Sequence, residues 1–334
     1  MENKPAVKNI LKKKITKSQV LNLMLITVIV IGTVFGYLYY KKTNIVTAVR
    51  QVVPVIDPVP RLDYQFSIYG PEADFLSNPQ AAIVWNNNIY VADTVNGRIM
   101  VFDYTGNFIR QIGGKGNFRG AMQGPTDIGV YNNNLYVADY ELGKVSIYSL
   151  TGEFIGYFAE DNLKGPSGMK IAGDRFYIFD SKSQEVFIFD STGKLLNSFG
   201  GKGHEPGQFY YAKGITVDEQ GNIYVADSNN FRIQVFTPEG KEKAVWKSDQ
   251  PNNEQGYTIP RGVAIDKKGN VWTANLLAGG VSATDPSGKR LALYNLGESA
   301  EDNITLPTAV FVDENNRLYV IELGKSRVLV YDIR

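Results

Sequence analysis

"GNIYVADSNNFRIQVF", Gly221 to Phe236, is the stretch from which the chain is best read. Its core, YVAD, occurs twice earlier, at Tyr90–Asp93 and Tyr136–Asp139, and variants begin at Tyr177 (YIFD), Trp272 (WTAN) and Tyr319 (YVIE). These six anchors lie 46, 41, 47, 48 and 47 residues apart. Most are preceded by a Pro or Gly, an apolar run such as PRGVAID, and a polar turn such as NNN, GDR or KKGN. A loop and a strand such as RIMVF follow, then, in all but the last unit, a second turn such as YTGN or PSGK. Alternation of period two, broken by Gly- and Asn-containing turns, means antiparallel strands. Four short strands per unit and six units predict an all-β fold, a six-bladed β-propeller over residues 61–334.

The two ends of the repeat fit this ring. The last unit stops at VLVYDIR, after its third strand, whereas LDYQFSIYG (Leu62–Gly70) matches the fourth strands but precedes the first unit. The N-terminal strand is therefore predicted to complete the last blade, which removes two edges that would otherwise invite aggregation.

The passage GGKGHEPGQFYYAKGITVDEQGNIYVADSNNFRIQVF resembles the NHL repeat, and the similarity runs over about residues 62–334. Units 1, 4 and 6 fit best. Unit 5 departs, with Asn275 for the Asp and GGVSATD for the basic-plus-apolar strand. The resemblance implies the propeller strongly and function weakly. NHL-like propellers serve as protein-, RNA- and glycan-binding modules and as sensors, and similar propellers include lyases and calcium-dependent hydrolases.

Composition narrows the choice. There is no Cys and a single His, His204, so thiolate chemistry and any site needing two imidazoles are excluded. Residues 1–42 carry eight Lys and one Glu, while the remainder has 27 basic and 33 acidic residues. A mildly acidic body lacks the excess of phosphate-neutralising cations that nucleic-acid binding needs, so no nucleic acid is expected. SQVLNLMLITVIVIGTVFGYLYY, residues 18–40, is uncharged and long enough to cross a bilayer. Its length and bulky end predict an uncleaved signal anchor, and the Lys excess before it predicts an N-terminus in the cytoplasm. The chain then reads as a basic tail (1–17), a single-pass transmembrane helix (18–40), a Pro-containing stalk (41–60) and an extracytoplasmic propeller at the cell membrane.

Repeated Asp–basic pairs (Asp93/Arg98, Asp139/Lys144, Asp227/Arg232, with Glu322/Arg327 as a variant) are read as structural, since a single ligand could not use copies spread around a ring. VDEQGN, IDKKGN and VDENNR lack the spacing of a calcium loop and are read as turns. The long, variable connections between blades lie on one face of the ring, where recognition is expected. There the residues opening the innermost strands, Gln80, Thr126, Ser167, Lys213, Arg261 and Thr308, should rim the central channel. Asp127 is placed on the same rim, and Lys213 and Arg261 on adjacent blades would form a positive patch suited to an anion or peptide carboxylate, with Glu141 nearby. His204 and Phe231 are candidate loop contacts, and NIT at Asn303 matches a glycosylation sequon. No catalytic constellation, metal site or cofactor is predicted. The expected role is a binding scaffold or sensor whose partner is a protein or peptide, with a cell-envelope glycan as the second choice. The enzymatic alternative is a hydrolase or lyase holding a divalent metal in the central channel.

Overall fold

The computed structural model describes residues 59–159, 161–247, 257–295 and 301–334. The segment read as a membrane anchor and the tail before it lie outside the described residues. Among the described residues, no helix is long and apolar enough to cross a membrane.

The described residues contain 24 strands in six antiparallel four-stranded sheets. After β1 (Leu62–Ile68) comes blade one: β2 (Pro79–Trp85), β3 (Asn88–Asp93), β4 (Arg98–Asp103) and β5 (Phe108–Gly113). Blade two is β6 (Pro125–Tyr131), β7 (Asn134–Asp139), β8 (Lys144–Ser149) and β9 (Phe154–Phe158). Blade three is β10 (Pro166–Ala172), β11 (Arg175–Asp180), β12 (Glu185–Asp190) and β13 (Leu195–Gly200). Blade four is β14 (Ile215–Val217), β15 (Ile223–Asp227), β16 (Arg232–Phe236) and β17 (Glu242–Lys247). Blade five is β18 (Pro260–Ile265), β19 (Val271–Asn275), β20 (Gly280–Thr284) and β21 (Arg290–Tyr294). Blade six holds β22 (Pro307–Val312), β23 (Arg317–Glu322) and β24 (Arg327–Ile333), and β1 is its outer strand.

The closure read from the sequence is present. β1 pairs antiparallel with β24 from Leu62↔Ile333 to Ile68↔Val328. Arg61 and Arg334 exchange both backbone hydrogen bonds at 3.0 Å, which fastens the seam beyond the last strand residues.

The turns follow their residues. Asn86 and Asn87, and again Asn132 and Asn133, take left-handed φ between +47° and +58°, the geometry of tight hairpins whose twist matches the flanking strands. The acidic turns close on themselves. The Asp266 carboxylate accepts the N–H groups of Lys268 and Asn270 at 2.9 Å and that of the Trp272 indole at 3.0 Å. Turn chemistry therefore accounts for IDKKGN, and Asp218 and Asp313 are used in the same way.

One expectation needs amending. Five YVAD-type strands have all of their last five residues buried, not alternate ones, and β19 matches them. Blades stack face to face, so both sides of a middle strand are covered. The apolar clusters accordingly lie between blades: one joins Ile89, Val91 and Met100 of blade one to Tyr319, Ile321 and Val328 of blade six.

Candidate functional site

The Asp–basic pairs bind the ring together. Arg232 Nε meets Asp227 Oδ2 at 2.7 Å and Arg327 Nε meets Glu322 Oε2 at 2.6 Å, with both side chains of each pair buried. Arg98 and Asp93 repeat the contact at 2.8 Å. The carboxylate has a second duty that the sequence did not reveal: it accepts backbone N–H groups from the connection entering its own blade, 15–17 residues earlier. Ser77 N–H donates to Asp93, Gln123 and Gly124 to Asp139, Lys164 and Gly165 to Asp180, and Tyr210 to Asp227. Thr258 and Thr305 do likewise to Asn275 and Glu322. In blade five the amide of Asn275 also donates to Ser282 Oγ at 2.9 Å, so a neutral side chain fills the place and no cation is needed. In blade two, Lys144 lies over the Tyr157 ring, 4.3 Å from its centre.

These clamps aim the interblade connections at the channel, and β-bulges aim the side chains that follow. In the first strands of blades one, two, three and six, pairing skips a single residue: Gln80, Thr126, Ser167 and Thr308. In blade five it skips Arg261 and Gly262. A bulge takes its residue out of the ladder and re-aims it. The result is the rim predicted from the sequence: all six strand-opening residues line the waist between two cavities of about 710 and 760 Å³. The first strands crowd closely here. A Cβ on Gly168 would collide with the Lys213 carbonyl oxygen, and one on Gly214 with that of Arg261.

The upper cavity is a funnel on the interblade-connection face. Its wall changes character around the ring. Val95, Leu276 and Leu323 from blades one, five and six form an apolar arc, with Asn78, Thr94 and Lys115 beside Val95, while Tyr140, Glu141, Ser181 and Tyr211 come from the others. The lower cavity runs on past Asp127, Lys170 and Thr216 to Asp313 and Glu314 at the opposite face. Asp127 thus lies below the waist and not on the rim where the sequence put it. His204 and Phe231 are on the expected face but line neither cavity. His204 Nδ1 pairs with Asn230 Oδ1 at 2.7 Å, and Phe231 caps the short 3-10 turn Ser228–Asn230 with φ +53°.

The electrostatics of the waist are unbalanced. Lys213 Nζ reaches across the bore from blade four to donate to Gln80 Oε1 on blade one. Burial lowers its pKa to about 8, Arg261 pushes in the same direction, and Asp127 opposes. Burial also lowers Arg261, whose buried Nε has no hydrogen-bond partner. Below, burial raises Asp127 to about 7, against the N–H bonds it accepts from Met169 (2.7 Å) and Ile128 (2.8 Å) and the charges of Lys170 and Lys213. Lys170 is lowered by burial, with Asp127 opposing. Lys170, Lys213, Arg261 and Asp127 share the middle of the channel, and Asp313 and Glu314 lie at the opposite face. Lys170 was absent from the predicted set. Its signal was a lysine inside an otherwise apolar inner strand, PSGMKIA.

The hydroxyls of the waist are already engaged. Thr126 donates to the Pro166 carbonyl at 3.0 Å, Ser167 pairs with Ser181 Oγ at 2.6 Å, and Thr308 donates to Ile321 at 3.3 Å. Donors left for a ligand are therefore chiefly cationic, with one amide N–H of Gln80 besides. Two bulky residues hold left-handed backbone just ahead of the two cations: Tyr211 (φ +53°) before Lys213 and Ile259 (φ +54°) before Arg261. For bulky and β-branched residues this conformation costs on the order of 1–3 kcal/mol each, and such strain collects at functional sites.

Comparison with known proteins gives the same architecture. A family model described as "6-bladed beta-propeller" matches residues 73–163 and 158–242. Local similarity links the chain to the human E3 ubiquitin-protein ligase TRIM32, 43% identical over 53 residues, which are 16% of this chain and 8% of that protein. Protein wech of Drosophila melanogaster is 46% identical over 46 residues, 14% of this chain and 6% of that one. These matches span less than a tenth of the relatives' length. Among solved structures, a catalytically inactive virginiamycin B lyase from Staphylococcus aureus with quinupristin superposes with TM-score 0.57 at 13% identity, covering 80% of this chain and 84% of that one. The WD40 propeller domain of Doa1 gives 0.57 at 8% identity, covering 81% and 97%. A Bacteroides thetaiotaomicron protein of unknown function gives 0.58 at 14%, covering 82% and 73%. At these identities the likeness is one of fold.

Proposed function

The chain belongs to the 6-bladed β-propeller family, and on that premise we propose that it is a binding module whose protein or peptide partner enters the funnel and meets Lys213 and Arg261. The observation that carries this reading is the under-compensated charge of the waist: a buried guanidinium Nε without a partner beside a lysine whose acceptor is a neutral amide. Buried cations are costly unless paired, so an incoming anionic group would relieve a cost the fold already bears. The same charge disfavours a divalent metal in the middle of the channel, because Lys170, Lys213 and Arg261 outnumber Asp127 there, while the other acids of the lower cavity, Asp313 and Glu314, sit at the opposite face.

The NHL-like character of the repeat, and its display outside the cytoplasmic membrane on an uncleaved anchor at residues 18–40, complete the proposal. The support for the anchor is its uncharged length and the Lys excess before it. Protease treatment of intact cells tests the topology: the propeller should be cleaved from outside and the tail protected. Crosslinking of the membrane-embedded chain tests the site. Partners captured by the wild type should be lost in Lys213→Glu and Arg261→Glu chains that keep the native melt, and partners that survive both changes would move the site elsewhere.

A further inference from the structure

The funnel also carries information about which part of a partner it takes. Three observations bear on this, and the inference rests on the binding reading above.

First, the bore is bridged. Lys213 on blade four and Gln80 on blade one, on opposite sides of a six-membered ring, meet across the axis. Whatever enters from the interblade-connection face is stopped at this level, so the funnel suits the end of a chain better than a chain passing through. Second, the floor's free donors are mainly cationic, with one amide N–H of Gln80 beside them. The hydroxyls of Thr126, Ser167 and Thr308 are spent on the ring itself. Arg261 keeps its Nε unpartnered, and an ammonium has three donors of which Gln80 takes one. Guanidinium and ammonium together suit a carboxylate. Third, the wall above the floor is two-sided. Val95 and Leu323 are 48% and 38% exposed, with Leu323 of blade six between Leu276 of blade five and Val95 of blade one in ring order, and Leu277 beside the mouth is 67% exposed. Opposite them, Tyr211 and Glu141 offer hydrogen-bonding groups, which a peptide backbone can use and a bare aliphatic chain cannot.

We propose that the funnel binds the free C-terminus of a protein or peptide ending in an apolar residue. The α-carboxylate is held by Arg261 and Lys213, the last side chain lies on the arc of Val95, Leu276 and Leu323, and the preceding backbone runs up the Tyr211–Glu141 side. A chain end is the one place where a peptide carries an anion and an apolar side chain on the same residue, and the funnel presents their complements at adjacent heights.

The test uses the full chain in detergent and random pentapeptide pools ending in Leu, Ile or Phe, either as free acids or as C-terminal amides. Binding is read by fluorescence anisotropy. Free acids should bind, and amidation should weaken binding at least tenfold. Arg261→Gln should abolish the difference between acid and amide. Leu323→Asp should weaken the acids tenfold or more while the melt stays native, so the test survives if the Arg261 variant fails to fold. Equal binding of acids and amides would overturn the chain-end assignment while leaving a peptide-binding face. Octanoate binding as tightly as the best acid pool would overturn the peptide in favour of a fatty carboxylate. Absence of binding by either pool, with crosslinked partners still lost in Arg261→Glu, would overturn the chain-end assignment alone. Partners retained in both Lys213→Glu and Arg261→Glu would overturn the underlying binding reading as well.

Discussion

Blade four carries two cations in opposite circumstances. Arg232, 1% exposed, gives Nε to Asp227 at 2.7 Å and Nη2 to the carbonyls of Glu205 and Gln208 at 2.8 Å, and Asp227 in turn accepts from Asn230, Gln234 and Tyr210. Lys213 is half-buried, yet it faces a neutral amide and the like charge of Arg261. The first arrangement is closed: each group completes the other's shell, and little is left for a visitor. The second is open. The same fold that satisfies a charge used as a fastener leaves another under-compensated where a ligand can reach it. That contrast identifies the site more sharply than charge or burial alone.

The largest effect should come from opening the closed arrangement. Asp227→Ala strands a buried guanidinium and releases the connection held through Tyr210, and should cost roughly 3–5 kcal/mol in urea unfolding. A loss under 1 kcal/mol would mean the clamp is ornamental. Next comes crowding at the waist: Gly214→Ala drives a Cβ against the Arg261 carbonyl and should cost about 1–3 kcal/mol by the same measurement. Lys213→Met should have the opposite sign. Removing a poorly compensated half-buried charge should hold or raise the thermal midpoint at pH 7 while anionic ligands no longer shift it, and a drop of several degrees would show that Lys213 is a fastener after all.

Asp127 sharpens the comparison through pH. Its carboxyl stays protonated in the folded chain up to about pH 7, against an ordinary value of 3.8. Between those values the native state holds a proton the unfolded chain has released, so this group's contribution to stability falls as pH rises through the window. Urea titrations at pH 4.5 and 7.5 should show a smaller difference in Asp127→Asn than in the wild type. The smallest effect belongs to His204. It is exposed, paired with Asn230 and laid against the Tyr210 ring at the surface, so His204→Ala should stay within about 0.5 kcal/mol and leave peptide binding intact.

The sequence disclosed the ring because its evidence is countable. Six anchors at regular spacing, and one strand missing at the end but present at the start, leave a single way to close the sheet. The rim was legible for a related reason: each of its residues holds a fixed place ahead of an inner strand. Lys170 was not placed, because the bulge at Ser167 shifts the alternation of the strand by one residue, so a lysine visible within PSGMKIA could not be assigned a side from the sequence. Asp127 was misplaced from rim to interior by the same kind of shift at Thr126. The second task of the Asp227 family also escaped notice, since its partners are backbone N–H groups that any residue could supply. What the sequence hides at this site is geometry made by main chain.

The seam between β1 and β24 makes the molecule very nearly cyclic. Arg61 and Arg334 already face one another through two backbone hydrogen bonds, so a short peptide linking these positions would ask little of the blades around them. A permuted chain cut instead at the Asn86–Asn87 turn should build the same propeller with its seam relocated to blade one. The numbering of the blades is thus a convention of the linear chain. A compass bearing within the ring comes from its unequal interior: the cationic blades four and five, the bridge from four to one, and the apolar arc that begins at five and ends at one.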